Sequence, residues 1–215
     1  MRAWLQLVAA AVILSVFSRT AAAQHSSSPD TSARKTTRFS LAVTAGFTAP
    51  QSKDALKQFW KGGPAAAVSA LLRAAPGFWI GAGVDISALW FRQSGFAQAY
   101  PTVEVQKKNM AWVNIFVLTR YGGFISSGSV HPYIEFAIGA SRLSGAEYKE
   151  VVDSVRVTYY EIPARTRLAL TVTGGVDIPV WRGVSFLAEG AVRYVHNDPN
   201  VGIGLSIRGG VRVTP

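Results

Sequence analysis

The sequence predicts an all-β fold, namely an eight-stranded antiparallel up-and-down transmembrane β-barrel. Three observations lead to this fold class: long runs of alternating hydrophobicity, an even number of such runs, and long connections that mostly alternate with short ones. The clearest run is FWIGAGVDISALWFR, from Phe78 to Arg92, with aromatic residues at both ends. A tilted transmembrane strand needs about 9–11 residues, so this run is long enough to cross a bilayer.

The first 23 residues are predicted to be a secretory signal peptide. Arg2 supplies the positive start, Leu5 to Phe17 form a thirteen-residue apolar run, and Ala21 to Ala23 supply the small residues of a cleavage site. A transmembrane helix anchor is disfavoured because a helix needs about 20 residues to span. Residues 24–37 are polar and are predicted to form a disordered periplasmic tail, which leaves residues 38–213 as the outer-membrane barrel domain.

The barrel domain divides into eight predicted strands. In order these are Arg38–Thr48, Pro64–Arg73, Phe78–Arg92, Met110–Tyr121, Pro132–Leu143, Arg165–Ile178, Gly183–Val195 and Val201–Val213. The connections between them are the loops 49–63, 93–109 and 144–164 and the turns 74–77, 122–131, 179–182 and 196–200. We expect Ser52 to Trp60 to form a short capped helix and Val155 to Tyr160 to extend the sheet beyond the membrane. In outer-membrane barrels the long loops are extracellular and the short turns periplasmic, so both chain ends are expected in the periplasm.

The distribution of charge predicts which face of each strand meets lipid. All lysines fall in the tail or the loops: Lys35, Lys53, Lys57, Lys61, Lys107, Lys108 and Lys149. A soluble barrel would instead carry Lys and Glu over its water-facing strand surface. We therefore expect one apolar face to contact lipid, including Ile80, Val84, Ile86, Leu170, Val172, Phe186, Val192, Leu205 and Ile207.

The opposite, polar face of the strands is predicted to line the barrel interior. It carries the charges expected inside the barrel: Asp85, Arg120, Glu135, Arg167, Asp177, Glu189, Arg193, Arg208 and Arg212. A lone charge in a narrow lumen costs several kcal/mol, so each should have a partner. Counting back from the turns predicts Glu189 directly opposite Arg208 and Arg120 directly opposite Glu135.

Motifs for catalysis or for metal and cofactor binding are weak. His25, His131 and His196 lack a metal-ligand spacing, and His196 with Asp198 and Ser185 lacks a nucleophile motif. The Gly-x-Gly pairs at 81–83 and 202–204 lack the third glycine and the helix of a dinucleotide site. We expect no catalytic residue, metal or cofactor.

The chain is basic, with a formal net charge of +10, and removing residues 1–23 leaves 20 basic and 12 acidic residues, or +8. Nucleic acid is not an expected partner of an exported chain. Outer-membrane lipid and lipopolysaccharide are expected partners, because basic loops attract anionic head groups. We also expect an extracellular ligand at the loops and a monomeric state.

Over about Arg38 to Val213 the chain resembles the small outer-membrane barrel domain (OmpA/OmpX-like) family. The resemblance rests on the signal peptide, on the strand count and on repeated Gly-x-Gly with alternating aromatics, as in WIGAGVDISALWF and YIEFAIGASRL. The ending VRVTP departs from that family, whose chains usually finish on an aromatic residue. The resemblance implies outer-membrane localisation and a non-enzymatic role in membrane integrity or in surface interaction through extracellular loops.

Two other functions remain open at the level of sequence. One is a lipid A-modifying enzyme, since some barrels of this kind hydrolyse or acylate lipid A; His196 is the candidate nearest the lipid-facing rim. The other is a soluble periplasmic barrel of lipocalin type. A general porin is disfavoured, because side chains nearly fill an eight-stranded lumen.

Overall fold

The computed structural model describes residues 39–51, 59–105, 109–122, 130–152, 156–162, 164–197 and 200–215. The signal peptide and tail predicted for residues 1–37, and most of the helix predicted from Ser52, lie outside these ranges. The described elements are β1 (Phe39–Pro50), β2 (Trp60–Lys61), β3 (Gly63–Ala75), β4 (Phe78–Phe91), α1 (Gln93–Ala99), β5 (Val103–Val105), β6 (Met110–Gly122), β7 (His131–Leu143), β8 (Ala146–Val152), β9 (Arg156–Ile162), β10 (Arg165–Trp181), β11 (Val184–Asn197) and β12 (Asn200–Val213).

Eight long strands form a closed antiparallel barrel in the order β1-β3-β4-β6-β7-β10-β11-β12, and β12 pairs with β1 to close it. The predicted fold class is therefore confirmed. We call the end with the connections 51–62, 92–109 and 144–164 the loop end, and the other end the turn end. No described helix has the length and apolar character needed to cross a bilayer.

Strand β10 is longer than predicted at the turn end. The sequence predicts a turn over residues 179–182, but Pro179 still pairs with Ser185 and the strand continues to Trp181. The register shifts between Pro179 and Trp181, and such an irregularity tolerates a proline within a strand. The turn itself contains Gly183, whose φ of 75° favours glycine.

The outer wall of the barrel is apolar along its length. All nine residues predicted to face lipid are exposed, from 39% at Leu170 to 78% at Ile207. In water, this much exposed apolar surface would need a covering partner, whereas lipid covers it directly. The lipocalin-type alternative is therefore disfavoured, since its exposed strand faces would be polar.

Three segments at the loop end form a separate small sheet in the order β5-β8-β9. The sequence predicts that Val155 to Tyr160 extends the sheet beyond the membrane, and Val155 lies outside the described residues. Residues 156–160 do form a strand, as part of β9, but β9 pairs with β8 and β8 with β5, so they do not extend the barrel sheet as expected. The barrel ladder stops at Ser144, whose amide donates to the carbonyl of Ala111 (2.8 Å) while its Oγ accepts from the Ala111 amide (2.8 Å). This reciprocal bond fastens the chain to β6 before it leaves the barrel.

Candidate functional site

Eight charged side chains in the barrel interior, four acidic and four arginine, form ion pairs among the described residues. Each lies on the inward face of a barrel strand, and all are buried except Arg212, which is half-buried: Asp85, Glu135, Asp177, Glu189, Arg120, Arg193, Arg208 and Arg212. Their formal charges cancel. Charges taken out of water at this density persist only when they are paired.

Arg167 does not join this interior set, although the sequence predicts it there. It is exposed, because it is the third residue of β10 and precedes Ala169, the first buried residue of that strand. At that height of the barrel, a side chain on the inward face of the strand lies at the open mouth and not in the lumen.

Arg120 and Glu135 form a self-contained pair. They are directly opposed in the β6–β7 register, as predicted. Both Nε and Nη2 of Arg120 donate to Glu135 Oε2, at 2.9 and 2.7 Å. The Arg120 guanidinium also lies 4.1 Å from the centre of the Tyr133 ring. A planar guanidinium that is both ion-paired and stacked is well suited to a dry interior.

Asp85 is the centre of a second, larger network. It accepts a hydrogen bond from Asn114 Nδ2 (2.5 Å), forms an ion pair with Arg193, and lies 3.4 Å from Arg208 Nη1. Asp85 is on β4, whereas the two arginines are on β11 and β12, so these contacts cross the lumen. Sequence parity places all of these residues inside, but it gives no signal for pairing between strands that are not neighbours.

Glu189 extends this network along the last hairpin. It lies opposite Arg208 in the β11–β12 register, as predicted, with Oε1 2.8 Å from Arg208 Nε. Tyr133 Oη donates to Glu189 Oε2 (2.7 Å), and Thr44 Oγ1 donates to Oε1 (3.3 Å). One carboxylate therefore joins strands β1, β7, β11 and β12.

At the turn end, Arg212 forms an ion pair with Asp177. The two residues lie on β12 and β10, with β11 between them. The Arg212 guanidinium is 5.5 Å from the centre of the Tyr133 ring, which links this pair to the middle of the barrel.

An aromatic cap covers the lumen at the loop end. It consists of five side chains with neighbouring ring centres 5.0 to 6.4 Å apart: Phe59, Trp60, Phe91, Phe96 and Tyr100. Phe59 and Trp60 belong to a buried apolar cluster with inward residues of the barrel, among them Leu89 and Trp112.

The cap rests on the charged network through Trp112. The Trp112 indole donates to Ser141 Oγ (2.5 Å), and its ring centre is 5.0 Å from the Arg193 guanidinium. The cap is not predicted from the sequence, because residues 49–63 and 93–109 are expected there to be loops. The feature of the sequence that could have indicated this cap is the group of aromatic residues flanking strand β4.

One small cavity lies between the charged groups in the middle of the barrel. A cavity of about 20 Å³ lies among Thr44, Phe116, Arg120, Glu135 and Glu189, which is room for about one water molecule. At this level the interior is filled by side chains.

The structure separates the residues of the weak catalytic hypothesis. Ser185 and His196 lie near opposite ends of β11, eleven residues apart, which is about 36 Å along an extended strand. Asp198 lies outside the described residues. In the described part of the chain, no three His, Asp or Glu residues are grouped so that they would hold a metal ion.

A closed eight-stranded barrel with an apolar wall and a filled, charged interior defines a class of protein, the small transmembrane β-barrels. Solved structures of bacterial outer-membrane barrels share this fold. Neisserial surface protein A matches with a TM-score of 0.53 and 17% identity, over 82% of this chain and 97% of that one. A major outer membrane protein from Thermus thermophilus matches with a TM-score of 0.56 and 14% identity, over 81% of this chain and 98% of that one.

A third structure with this fold is Ail, the attachment invasion locus protein of Yersinia pestis. Its TM-score is 0.51 at 10% identity, over 81% of this chain and 99% of that one. No family model and no curated protein matches the sequence. The shared fold and the apolar outer wall support the outer-membrane localisation predicted from the sequence.

Proposed function

We propose that this chain is a non-enzymatic outer-membrane protein that acts through contacts made at its loop end, which faces the cell surface. The observation that carries the proposal is the contrast between a lumen filled by charged and aromatic side chains and a loop end that presents an additional β-sheet.

The filled lumen argues against transport as the main activity. A solute path would have to break the Asp85 contacts with Arg193 and Arg208 and displace the aromatic cap. Leaving one member of a buried ion pair without its partner costs about 3–5 kcal/mol, so this interior favours a closed state.

The β5-β8-β9 sheet supports a role in surface contact. It is built from two connections, 92–109 and 144–164, so residues distant in sequence form one surface at the loop end. Functional residues concentrate on loops held by a rigid scaffold, and the closed barrel is such a scaffold. Two of the similar structures are named a surface protein and an attachment invasion locus protein, which agrees with this role.

The proposal is tested with a variant in which residues 146–162 are replaced by a short Gly-Ser linker. Cells of a Gram-negative host displaying the intact or the shortened protein are compared for adhesion to epithelial cells and to immobilised matrix proteins. We expect adhesion with the intact chain and its loss with the shortened chain, while both still migrate as heat-modifiable barrels on gels. Equal adhesion by both chains and by cells lacking the protein would contradict the proposal.

Two further measurements address the competing functions. Stable single-channel conductance of the refolded protein in planar bilayers would indicate a pore. A change in the mass spectrum of lipid A on expression of the protein would indicate a lipid-modifying enzyme. We expect neither.

A further inference from the structure

Helix α1, which carries part of the aromatic cap, has little support of its own. It has seven residues, none of them buried, and Arg92 at its N-terminus provides no capping hydrogen bond from its side chain. Its first turn contains no acidic residue and its last turn no basic residue, so charged side chains do not stabilise the helix dipole. Helices shorter than about 12 residues are marginal in water. Contacts outside the helix must therefore hold α1 in place.

On the side of the barrel, aromatic rings hold α1. The ring centre of Phe96 lies 5.0 Å from that of Phe59 and 5.3 Å from that of Phe91. Tyr100, directly after the helix, lies 5.6 Å from Phe59 in the same measure. The Arg92 amide also donates to the Phe59 carbonyl (2.6 Å). Tyr100 is nevertheless 47% exposed, so water reaches the top of this attachment.

On the other side, the small β5-β8-β9 sheet holds the end of the same segment. The Val103 amide donates to the Tyr100 carbonyl (3.2 Å), and β5 begins at Val103, three residues after the last ring of the cap. All three residues of β5 pair with β8, with Glu104 opposite Lys149. Strand β8 pairs in turn with β9 over seven positions. The cap is therefore connected to the sheet through a very short stretch of chain.

The cap covers an apolar chamber at the top of the lumen. Leu89, Trp112 and Ala169 are buried there in one cluster with residues of the cap. Arg167, two residues nearer the mouth than Ala169 on the same strand, is exposed, so the burial of Ala169 depends on the cap. Below the chamber, the Trp112 ring lies on the Arg193 guanidinium. Opening the cap would therefore uncover the chamber without opening a path through the barrel.

We propose that the β5-β8-β9 sheet holds the aromatic cap closed, and that separation of β5 from β8 releases the cap. The β5–β8 ladder has three register positions, whereas each seam of the barrel has ten or more. A segment with few buried contacts and a short ladder opens at a lower free-energy cost than the barrel around it. Any contact that separates β8 from β5 therefore opens the upper lumen. The proposal does not depend on which end of the barrel faces the cell surface.

The test uses a thiol placed beneath the cap. The chain has no cysteine, so Ala169→Cys introduces a single thiol in the chamber. A second chain carries Ala137→Cys instead. Ala137 is similarly buried, but it belongs to a separate interior cluster with Leu71 and Leu118. The rate at which a water-soluble maleimide modifies each thiol is measured on the folded, full-length protein in detergent micelles, where both ends of the barrel are accessible.

The sheet is broken in each of these two chains by Lys149→Pro/Glu150→Pro. Successive residues of a central strand direct their amides to opposite neighbours, so this pair removes one donor toward β5 and one toward β9. The matched control is Lys149→Ala/Glu150→Ala, which removes the same side chains and keeps the amides. Heat-modifiable migration verifies that each barrel is folded. If the proline variant does not fold, the linker replacement of residues 146–162 takes its place.

We expect the proline variant to raise the rate at position 169 about tenfold or more, and the alanine variant to change it by less than about twofold. The rate at position 137 should be the same in all chains. Equal rates at position 169 in the proline and alanine variants would overturn the proposal. Equal acceleration at position 137 would also overturn it, because the barrel and not the cap would then have opened. The measurement uses no cells, so its failure is distinguishable from a failure of adhesion.

Discussion

At the scale of single residues, the interior is organised by pairing. Arg120 and Glu135 meet at 2.7 Å with little exposure to water, and no other acidic side chain in the described residues forms an ion pair with Arg120. A buried charge without a partner keeps its desolvation penalty, whereas removing both charges removes the penalty with the attraction. The stability of the barrel should therefore respond to these two residues as a unit.

We predict that Arg120→Met or Glu135→Gln alone destabilises the barrel by about 3–5 kcal/mol, and that the double substitution costs clearly less than the sum. Urea unfolding in lipid vesicles measures all four corners of the cycle. Strict additivity of the two losses would show that the contact contributes nothing. A corresponding double-mutant cycle on Glu189 and Arg208 should show a weaker coupling energy, because Arg208 keeps its contact with Asp85 when Glu189 is replaced.

The sequence predicts pairs on adjacent strands because turn position and period-two parity together define their register. Both predicted pairs are present for that reason. The contact between Asp85 and Arg193 depends on how the barrel closes, which no local pattern records. The prediction that Arg167 lies in the interior is wrong because the alternation of residues along a strand gives the face that a side chain occupies but not its height along the barrel.

At the scale of elements, each barrel strand separates two environments. Strand β4 alternates exposed Ile80, Val84 and Ile86 with inward residues that include buried Asp85. A charge is therefore well tolerated at position 85 but costly one residue away.

We predict that Val84→Arg costs about 2–4 kcal/mol of folding free energy in a bilayer, because it places a charge near the middle of the lipid-facing wall. The matched control is Val213→Arg, at the turn end of β12, where the same substitution should cost about 0–1 kcal/mol. Folding titrations in vesicles compare the two. Equal costs would mean that no depth-dependent lipid contact exists.

The loops were harder to predict than the strands. Alternation over many residues defines β4 or β11, but β5 has three residues and β2 two, too few for a periodic signal. The partner of β5 lies in another connection and that of β2 on a barrel strand, so their structure depends on the barrel that brings these segments together.

At the scale of the whole molecule, orientation in the membrane follows from which end carries the long connections. The described lysines Lys61 and Lys149 both lie at the loop end. Arg182 lies in the turn at the opposite end.

We predict that a membrane-impermeant amine reagent labels Lys61 and Lys149 on intact cells. An introduced lysine, Arg182→Lys, provides the internal control and should be labelled only after the outer membrane is broken. Peptide mass mapping locates the label. Labelling at position 182 on intact cells would invert the orientation.

The pairing of β1 with β12 has a consequence for the order of assembly. Ten register positions join residues 41–50 to residues 204–213, and Thr48 shares a 2.7 Å hydrogen bond with Ser206. Every other seam of the barrel joins strands that follow one another among the eight, so each of those seams can form as a local hairpin. The last seam must wait for the final strand, because closing so long a loop carries an entropy cost that only the completed ladder repays. Until then both edges of the sheet expose unpaired amides and carbonyls, which lipid cannot satisfy. Insertion and closure are therefore expected to be a single, concerted event late in folding.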